Sequence, residues 1–326
     1  MTKIRQSGDN SMIEDRRSQG GGGGGGLNFP GLGGGGGGGG FPIPMKMGGG
    51  LIGILLMLAV VVLPKLLHGS GLGGGTTSSN GGNSAPINVP SPNAVPAGDS
   101  GGGQSLDTGS QGTGACDTDT AQIVCGAVTD VQNFWDATFK TAGRNYTFAH
   151  TVFFSGGTDT GCGQASAQTG PFYCPVDSKV YFDLDFLVQL QDRFGATGDL
   201  ASQYIVAHEY GHHIQKLLGI SDQVHQAEQQ DPGSANQMSV KLELQADCLA
   251  GVWANDANRR GQFDSNTEIS EAINAAGAVG DDKIQQQTQG RVDPESFTHG
   301  SAQQRMTWFK RGFDTGNSDN CDTFSE

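Results

Sequence analysis

Residues 199–219 read DLASQYIVAHEYGHHIQKLLG, and this stretch decides the fold of the chain. Gly198 and Gly219 bracket it, and Asp199 is a residue type that caps the start of a helix. Residues of similar character recur at spacings of three and four, which places them on one helical face. The pattern predicts a helix with a face formed by Leu200, Tyr204, His208, Gly211, His212 and Gln215.

Residues 208–212 of this helix, HEYGH, match the pattern H-E-x-x-H. One helical turn separates His208 from His212, so both imidazoles can bind one zinc ion, and Glu209 can reach a water on that ion. Gly211 leaves room for another segment to approach the helix. The alternative is an exposed helix with two surface histidines, and the rest of the chain decides between them.

A second predicted helix, residues 240–260, supplies a third ligand. Glu243 and Asp247 are separated by four residues and therefore share a face of this helix. We expect Glu243 to complete a His-His-Glu set and Asp247 to accept the other ring N–H of His208, fixing its tautomer. A solvated acidic face is the alternative, but the helix is otherwise apolar.

Hydrolysis at such a site needs a base and a donor. Glu209 is the expected base, and His299, beside Gly300 at a loop-to-helix junction, is the expected donor to a developing oxyanion. An exposed or capping role is the alternative for His299. Arg305 either binds substrate or forms an ion pair. The reserve donors are Tyr173, Tyr181 and Tyr210, and the histidines expected to be structural or exposed are His68, His150, His213 and His225.

The 55 glycines divide the chain, because they are concentrated before residue 115. Glycine-rich segments bury too little apolar surface to fold, so residues 1–46 are expected to be a disordered cytoplasmic tail and residues 68–115 a flexible linker. Residues 116–326 are long enough for one compact domain. The formal net charge of -14 argues against a nucleic-acid partner.

Residues 47–67, MGGGLIGILLMLAVVVLPKLL, are apolar and are predicted to form a single transmembrane anchor. The dense apolar part, 51–63, is short, but with its flanks it approaches the roughly 20 residues that a span needs. A signal peptide is the alternative, although no small-residue cleavage site follows. Basic residues precede the stretch, so we expect the inner membrane as location, with the C-terminal domain extracytoplasmic.

All six cysteines follow the apolar stretch, and an even number in an exported domain indicates disulfides. Of the fifteen possible pairings, we expect Cys116–Cys125, Cys162–Cys174 and Cys248–Cys321. A cysteine-ligated zinc site is disfavoured, because the chain has no C-x-x-C pair.

The domain is predicted to be α+β: mainly helical, with a small antiparallel sheet over the zinc-binding helix. Further helices are expected at 120–141, 183–194, 268–278 and 301–311, and strands at 146–154 and 170–182, while 221–238 is expected to be a loop with some helix. Prolines favour an edge position for residues 172–182, where an extended peptide substrate can pair.

The segments GPFYCPVDSKVYFD, RFGATGDLASQYIVAHEYGHHIQKLLG, ELQADCLAGVW, GDDKIQ and DPESFTHGSAQQR together resemble the neutral zinc metallopeptidase family of bacterial envelope proteins. The resemblance covers residues 116–326 and implies a membrane-anchored, extracytoplasmic, zincin-like peptidase domain. By its wider similarity to gluzincins, it implies His208, His212 and Glu243 as zinc ligands, Glu209 as base and Asp247 as an outer partner.

The main functional hypothesis is a membrane-anchored zinc peptidase acting on peptides or proteins outside the cytoplasmic membrane. One alternative is another envelope zinc amide hydrolase, for which the same metal and base would serve. A second is a non-catalytic scaffold in which zinc is only structural. Glu209 favours catalysis, because a structural site needs no base and closes its fourth position with protein.

Overall fold

A computed structural model of the chain describes residues 2–5, 11–19, 87, 114–194, 198–263 and 266–325. Within these residues the domain is mainly helical with a small sheet, as expected for an α+β fold. The α-helices are α1 Asp119–Thr141, α2 Leu184–Phe194, α3 Asp199–Leu217, α4 Ile220–Gln230, α5 Ala235–Arg259, α6 Asn266–Ala278, α7 Asp281–Gln289 and α8 Ala302–Thr315.

The motif helix α3 lies at the centre of the domain and packs against α1, α5 and α6. Nearly all its residues from Leu200 to Gln215 are buried, so the helix is enclosed on most sides. Gly198 is the N-cap in place of the expected Asp199, which is the first helical residue, and the left-handed Gly219 (φ 74°) ends the helix.

Helices α5 and α8 pack so closely that their backbones touch through glycine. A Cβ atom on Gly251 would lie 2.1 Å from the carbonyl oxygen of Phe309, and one on Gly312 would lie 1.9 Å from that of Cys248. Only residues without a side chain fit these two positions. The contact brings Arg305 of α8 to Asp247 of α5.

The main sheet contains β1 Ile13–Asp15, β2 His150–Phe154, β5 Phe172–Cys174 and β6 Lys179–Asp183 in the order β1-β2-β6-β5. β1 and β6 both run parallel to β2, and only β5 is antiparallel to its neighbour. The expectation of a purely antiparallel sheet is therefore wrong: β2 and β6 are separated in sequence by a crossover rather than by a hairpin. β3 Gly157–Thr160 and β4 Gly163–Ser166 form a separate antiparallel pair.

Side chains alternate between the two faces of the sheet. Phe153, Val180 and Phe182 join the main helical core, whereas Val152 and Tyr181 belong to a smaller cluster on the other face. The hydroxyl groups of Thr151 and of Tyr210 on α3 form a hydrogen bond of 2.9 Å. The sheet is thereby fixed to the helix that carries the motif.

Two other expectations are corrected. Residues 221–238 are mostly helical, in α4 and the start of α5, because Ile220, Val224 and Ala227 recur at helical spacing and are buried. Residues 2–5 and 11–19, expected to belong to a disordered tail, are folded onto the domain, and Ile13–Asp15 is a strand of its sheet. The backbone of Ile13–Asp15 pairs with β2, and the composition of the N-terminal segment does not predict this long-range pairing.

The predicted anchor, residues 47–67, lies outside the described residues, as does nearly all of the predicted linker. Of the helices that the structure describes, none is both long and apolar enough to cross a bilayer. The three disulfides are Cys116–Cys125, Cys162–Cys174 and Cys248–Cys321, which confirms the expected pairing.

Candidate metal centre

Helices α3 and α5 bring His208, His212 and Glu243 together. One potential ligand atom from each lies within 4.8 Å of the others. Nε2 of His208 is 3.2 Å from one carboxylate oxygen of Glu243, and Nε2 of His212 is 3.4 Å from the other. The ring centroids of the two histidines are 4.8 Å apart. The three residues predicted as ligands therefore form one cluster.

Gly211 explains how the two helices approach closely enough. A Cβ atom at this position would lie 3.0 Å from both the Cα and the carbonyl oxygen of Ala246. Ala246 lies between Glu243 and Asp247 on α5, so the contact is made at the level of the site. The expectation that Gly211 admits a neighbouring segment is met by α5.

Asp247 lies behind His208 and is completely buried. Its Oδ1 accepts hydrogen bonds from Nδ1 of His208 at 2.8 Å and from the hydroxyl of Tyr204 at 2.5 Å. Because the carboxylate occupies Nδ1, the ring presents Nε2 to the cluster. Asp247 is therefore placed where sequence reasoning expected it.

Arg305 on α8 completes this arrangement. Its Nε donates to Oδ2 of Asp247 at 2.8 Å and its Nη2 donates to Oδ1 at 3.0 Å, so the pair is bidentate. The guanidinium also donates to the hydroxyl of Tyr204 at 3.2 Å and to the carbonyl oxygen of Val279 at 3.2 Å. Arg305 thus forms a buried ion pair, which decides between the two roles that the sequence left open.

The charges in this buried network shift the pKa values of its members. Burial raises the pKa of Asp247, but the positive charges of Arg305 and His208 and their hydrogen bonds together outweigh burial and hold that pKa below its usual value. Burial lowers the pKa of His208, but the charge of Asp247 and the hydrogen bonds to Asp247 and Glu243 together outweigh burial and raise that pKa to about 10. Asp247 is therefore an ionised acceptor at neutral pH, which makes His208 a strongly basic ligand.

A second chain of hydrogen bonds orients His212. Its Nδ1 donates to Oε1 of Gln215 at 2.8 Å, and Nε2 of Gln215 donates to Oε1 of Gln245 at 3.0 Å. Gln245 in turn donates to the carbonyl oxygen of Cys321 at 3.0 Å. Both histidines therefore have Nδ1 engaged and Nε2 turned toward Glu243. Sequence analysis placed Gln215 on the right face but missed Gln245.

Glu209 lies next to His208 on α3 and is 8% exposed. Among the described residues, no hydrogen bond or ion pair engages its carboxylate. The neighbouring acid Glu243, by contrast, contacts both histidines. A carboxylate that is nearly buried and has no protein partner is available to exchange a proton with a substrate or water.

His299 is held beside the cluster by Asp281, the first residue of α7. One carboxylate oxygen of Asp281 accepts the backbone N–H groups of Thr298, His299 and Gly300 at 2.7, 2.7 and 3.1 Å. The other is 3.2 Å from Nδ1 of His299. The loop and the ring of His299 are thereby fixed together, and sequence analysis did not single out Asp281.

Glu243 and His299 influence each other electrostatically. Burial lowers the pKa of His299, but the charge of Glu243 together with the hydrogen bond and charge of Asp281 outweighs burial and raises that pKa above its ordinary value. Burial raises the pKa of Glu243, but the charges of His212 and then His299 hold it well below its usual range. His299 therefore lies within electrostatic range of the expected ligand set.

The remaining candidates have other partners. His213 is buried, with Nε2 donating to the carbonyl oxygen of Thr147 at 2.7 Å and Nδ1 accepting from the hydroxyl of Tyr173 at 3.1 Å. The hydroxyl of Tyr210 contacts Thr151, and that of Tyr181 donates to Asp177 at 2.6 Å. The structure therefore assigns structural contacts to all three reserve tyrosines. His225 is half exposed, and His68 lies outside the described residues.

The donor set fits zinc. Bonds of roughly 2.1 Å at tetrahedral angles place neighbouring ligand atoms about 3.4 Å apart, close to the two separations measured here. Two imidazoles, which become neutral ligands when a metal replaces the proton on Nε2, and one carboxylate are the ligand types of catalytic zinc sites. Each histidine also has the outer hydrogen bond that zinc-bound imidazoles require.

Comparison with known proteins identifies relatives of this chain. Residues 92–324 match the family described as "Putative neutral zinc metallopeptidase". "Uncharacterized protein YpfJ" of Escherichia coli (strain K12) is 48% identical over 60% of this chain and 68% of its own length. "Uncharacterized protein Rv2575" of Mycobacterium tuberculosis (strain ATCC 25618 / H37Rv) is 50% identical over 59% of this chain and 68% of its own. No solved structure matches the chain significantly.

The family match covers the whole of the described domain from residue 114 onward, including the motif helix and the helix that carries Glu243. The resemblance drawn from the sequence motifs is therefore confirmed. The chain belongs to the neutral zinc metallopeptidase family.

Proposed function

We propose that this protein is a zinc-dependent peptidase that hydrolyses peptide bonds with a metal-activated water. The observation that carries the proposal is the Glu209 carboxylate, which makes no hydrogen bond or ion pair among the described residues and directly follows His208 of the cluster with His212 and Glu243. A purely structural zinc site has no use for such a base, which disfavours the scaffold alternative.

The residues divide the chemistry among them. His208, His212 and Glu243 would hold the zinc, which supplies a Lewis acid that lowers the pKa of water and polarises a carbonyl. Glu209 accepts a proton from the attacking water and delivers it to the leaving amine. His299, held by Asp281, donates a hydrogen bond to the developing oxyanion.

Strand β5 is the proposed site for an extended substrate. It is the last strand of the four-stranded sheet as described, paired on one side with β6. The hydroxyl of Tyr173 on β5 bonds His213, which is adjacent to the ligand His212. A peptide that pairs with the outer edge of β5 would therefore run close to the cluster.

The proposed location of the domain is outside the cytoplasm. Three disulfides within the domain favour an oxidising compartment, because such bonds are rare in the cytosol. Membrane association through residues 47–67 stays a prediction. The same site chemistry would serve an envelope amide hydrolase, and substrate profiling separates the two.

Replacing Glu209 tests the proposal most directly. Glu209→Gln removes the base without changing size, so we expect zinc content and folding to be unchanged and hydrolysis of a peptide library to fall by at least about 10²-fold. Glu243→Ala is the matched variant, and we expect it to lose zinc as well. A Glu209→Gln protein that cleaves like the wild type would refute the mechanism.

A further inference from the structure

The first residues of the chain bind to the start of the motif helix. The carbonyl oxygen of Ile4 accepts a hydrogen bond from Nε2 of Gln203 at 2.9 Å, and Arg5 forms an ion pair with Asp199 at 3.2 Å. Ile4 is only 6% exposed. A Cβ atom on Gly126 of α1 would lie 2.8 Å from the Cα of Arg5, so the backbone of this segment is in direct contact with α1.

Residues 11–19 continue onto the sheet. β1 pairs with β2 in parallel, with Ile13 opposite Thr151 and Asp15 opposite Phe153. The pairing is extended by the amide of Arg16, which donates to the carbonyl oxygen of Phe153 at 2.7 Å. Ile13 is 6% exposed and belongs to the main core, so β1 is an integral strand of the domain.

Arg17 joins the end of this segment to the place where the domain resumes. Its Nη2 donates to the carbonyl oxygen of Ala115 at 2.9 Å, and its Nη1 donates to Asp117 at 2.9 Å. Asp15 holds the same guanidinium through two further hydrogen bonds of 2.9 and 2.7 Å. The chain between residues 19 and 114 therefore leaves and rejoins the domain at neighbouring points.

We infer that residues 2–5 and 11–19 are a built-in part of the peptidase domain and share its side of any membrane. A single bilayer crossing between residues 19 and 114 would put β1 and β2 on opposite faces, which their pairing forbids. The single-pass topology with a cytoplasmic N-terminus, expected from basic residues, is incompatible with this fold.

The positively charged residues of the N-terminal segment have a different use in this arrangement. Arg5, Arg16 and Arg17 are all paired with acidic side chains of the domain or of the segment itself. Three of the basic residues that predicted the cytoplasmic orientation thus act as docking groups. Their positive charge is therefore explained by contacts within the fold and does not predict the orientation of the chain in a membrane.

Cysteine labelling of the full-length protein in spheroplasts tests the topology. The described cysteines are all paired, so one introduced thiol can be labelled selectively. Ser18→Cys places a thiol on the exposed end of the N-terminal segment, and Thr141→Cys places one on the exposed end of α1 as a control. We expect a membrane-impermeant maleimide to label both variants to the same extent in intact spheroplasts, with a ratio near one.

Labelling of Thr141→Cys in intact cells, with Ser18→Cys labelled only after permeabilisation, would overturn the inference. Labelling of both only after permeabilisation would support the shared side but contradict the extracytoplasmic location proposed above. The two proposals therefore fail in distinguishable ways.

A second measurement tests whether the segment is docked. Ile13→Ala removes buried side-chain volume from β1, so we expect the Tm of the full chain to fall by about 5–10 °C. Ser18→Ala changes an exposed residue of the same segment and should leave Tm unchanged. An Ile13→Ala protein with the wild-type Tm would show that β1 is not part of the folded domain.

Discussion

Replacing Arg305 or Arg260 by methionine compares a buried bidentate ion pair with a more exposed bidentate ion pair. Arg305 binds Asp247 through two hydrogen bonds of 2.8 and 3.0 Å, and the side chains are 4% and 0% exposed. Arg260 binds Asp130 through two hydrogen bonds of 2.9 and 2.7 Å, but its side chain is 38% exposed. The pairs differ in their access to water, and in the exposed pair Arg260 also binds Asp256 while Asp130 also accepts a hydrogen bond from Trp253.

The burial sets the expected magnitude. Removing one partner of a buried pair leaves an uncompensated charge and typically costs about 3–5 kcal/mol, whereas a surface pair contributes about 0–1 kcal/mol. We expect Arg305→Met to lower the free energy of unfolding by about 3–5 kcal/mol and Arg260→Met by at most about 1 kcal/mol. Arg305→Lys keeps the charge but not the bidentate geometry and should be intermediate.

Urea unfolding followed by circular dichroism measures these differences, first on zinc-free protein so that metal affinity does not contribute. Zinc titration of the same variants then tests the orientation of His208. We expect zinc affinity to fall about 10-fold or more in Arg305→Met, as for other outer partners of zinc-bound histidines. Equal destabilisation by Arg305→Met and Arg260→Met would refute the reasoning.

Three further predictions follow from other contacts. His299→Ala should reduce turnover by about 10²-fold and leave the zinc content unchanged. The control His225→Ala, at an exposed position, should change neither quantity. A His299→Ala protein with wild-type turnover would show that His299 takes no part in the reaction. Gly312→Ala should lower the free energy of unfolding by about 3 kcal/mol or more, because the new Cβ would lie 1.9 Å from the carbonyl oxygen of Cys248. Gly277→Ala should lower it by less, because its Cβ would meet the flexible side chain of Met306. Urea unfolding that finds Gly277→Ala the less stable variant would contradict the packing. Burial lowers the pKa of His213 from 6.5 to about 4. Between these pH values the folded state binds fewer protons than the unfolded state, so the free energy of unfolding should fall by up to about 3 kcal/mol as the pH drops through that range. His213→Gln should reduce this pH dependence, measured by urea unfolding.

The ligand cluster was predictable because helical periodicity alone fixes which residues of one helix share a face. His208 and His212 follow from the motif, and Glu243 and Asp247 follow from a spacing of four on a second helix. Their convergence needed tertiary packing, but Gly211 already indicated a close approach. The disulfides were also predictable, since the cysteines closest in sequence are paired in two of the three cases.

Other parts of the structure depend on contacts between residues far apart in sequence. Arg305 reaches Asp247 only because α8 packs on α5, and Asp281 reaches His299 only because α7 begins beside the loop that carries it. The parallel pairing of β1 with β2 joins residues more than a hundred positions apart. Local composition favoured a disordered tail there, since it carries no information about a distant sheet edge.

The path from His212 through Gln215 and Gln245 to the carbonyl of Cys321 has a consequence for biosynthesis. The helices that carry His208, His212 and Glu243 are synthesised before Arg305 and Cys321, which hold Asp247 and Gln245 in place. A nascent chain therefore contains His208, His212 and Glu243 before it contains Arg305 and Cys321. The arrangement around the cluster is therefore completed only after Cys321 has been synthesised and has formed its disulfide with Cys248.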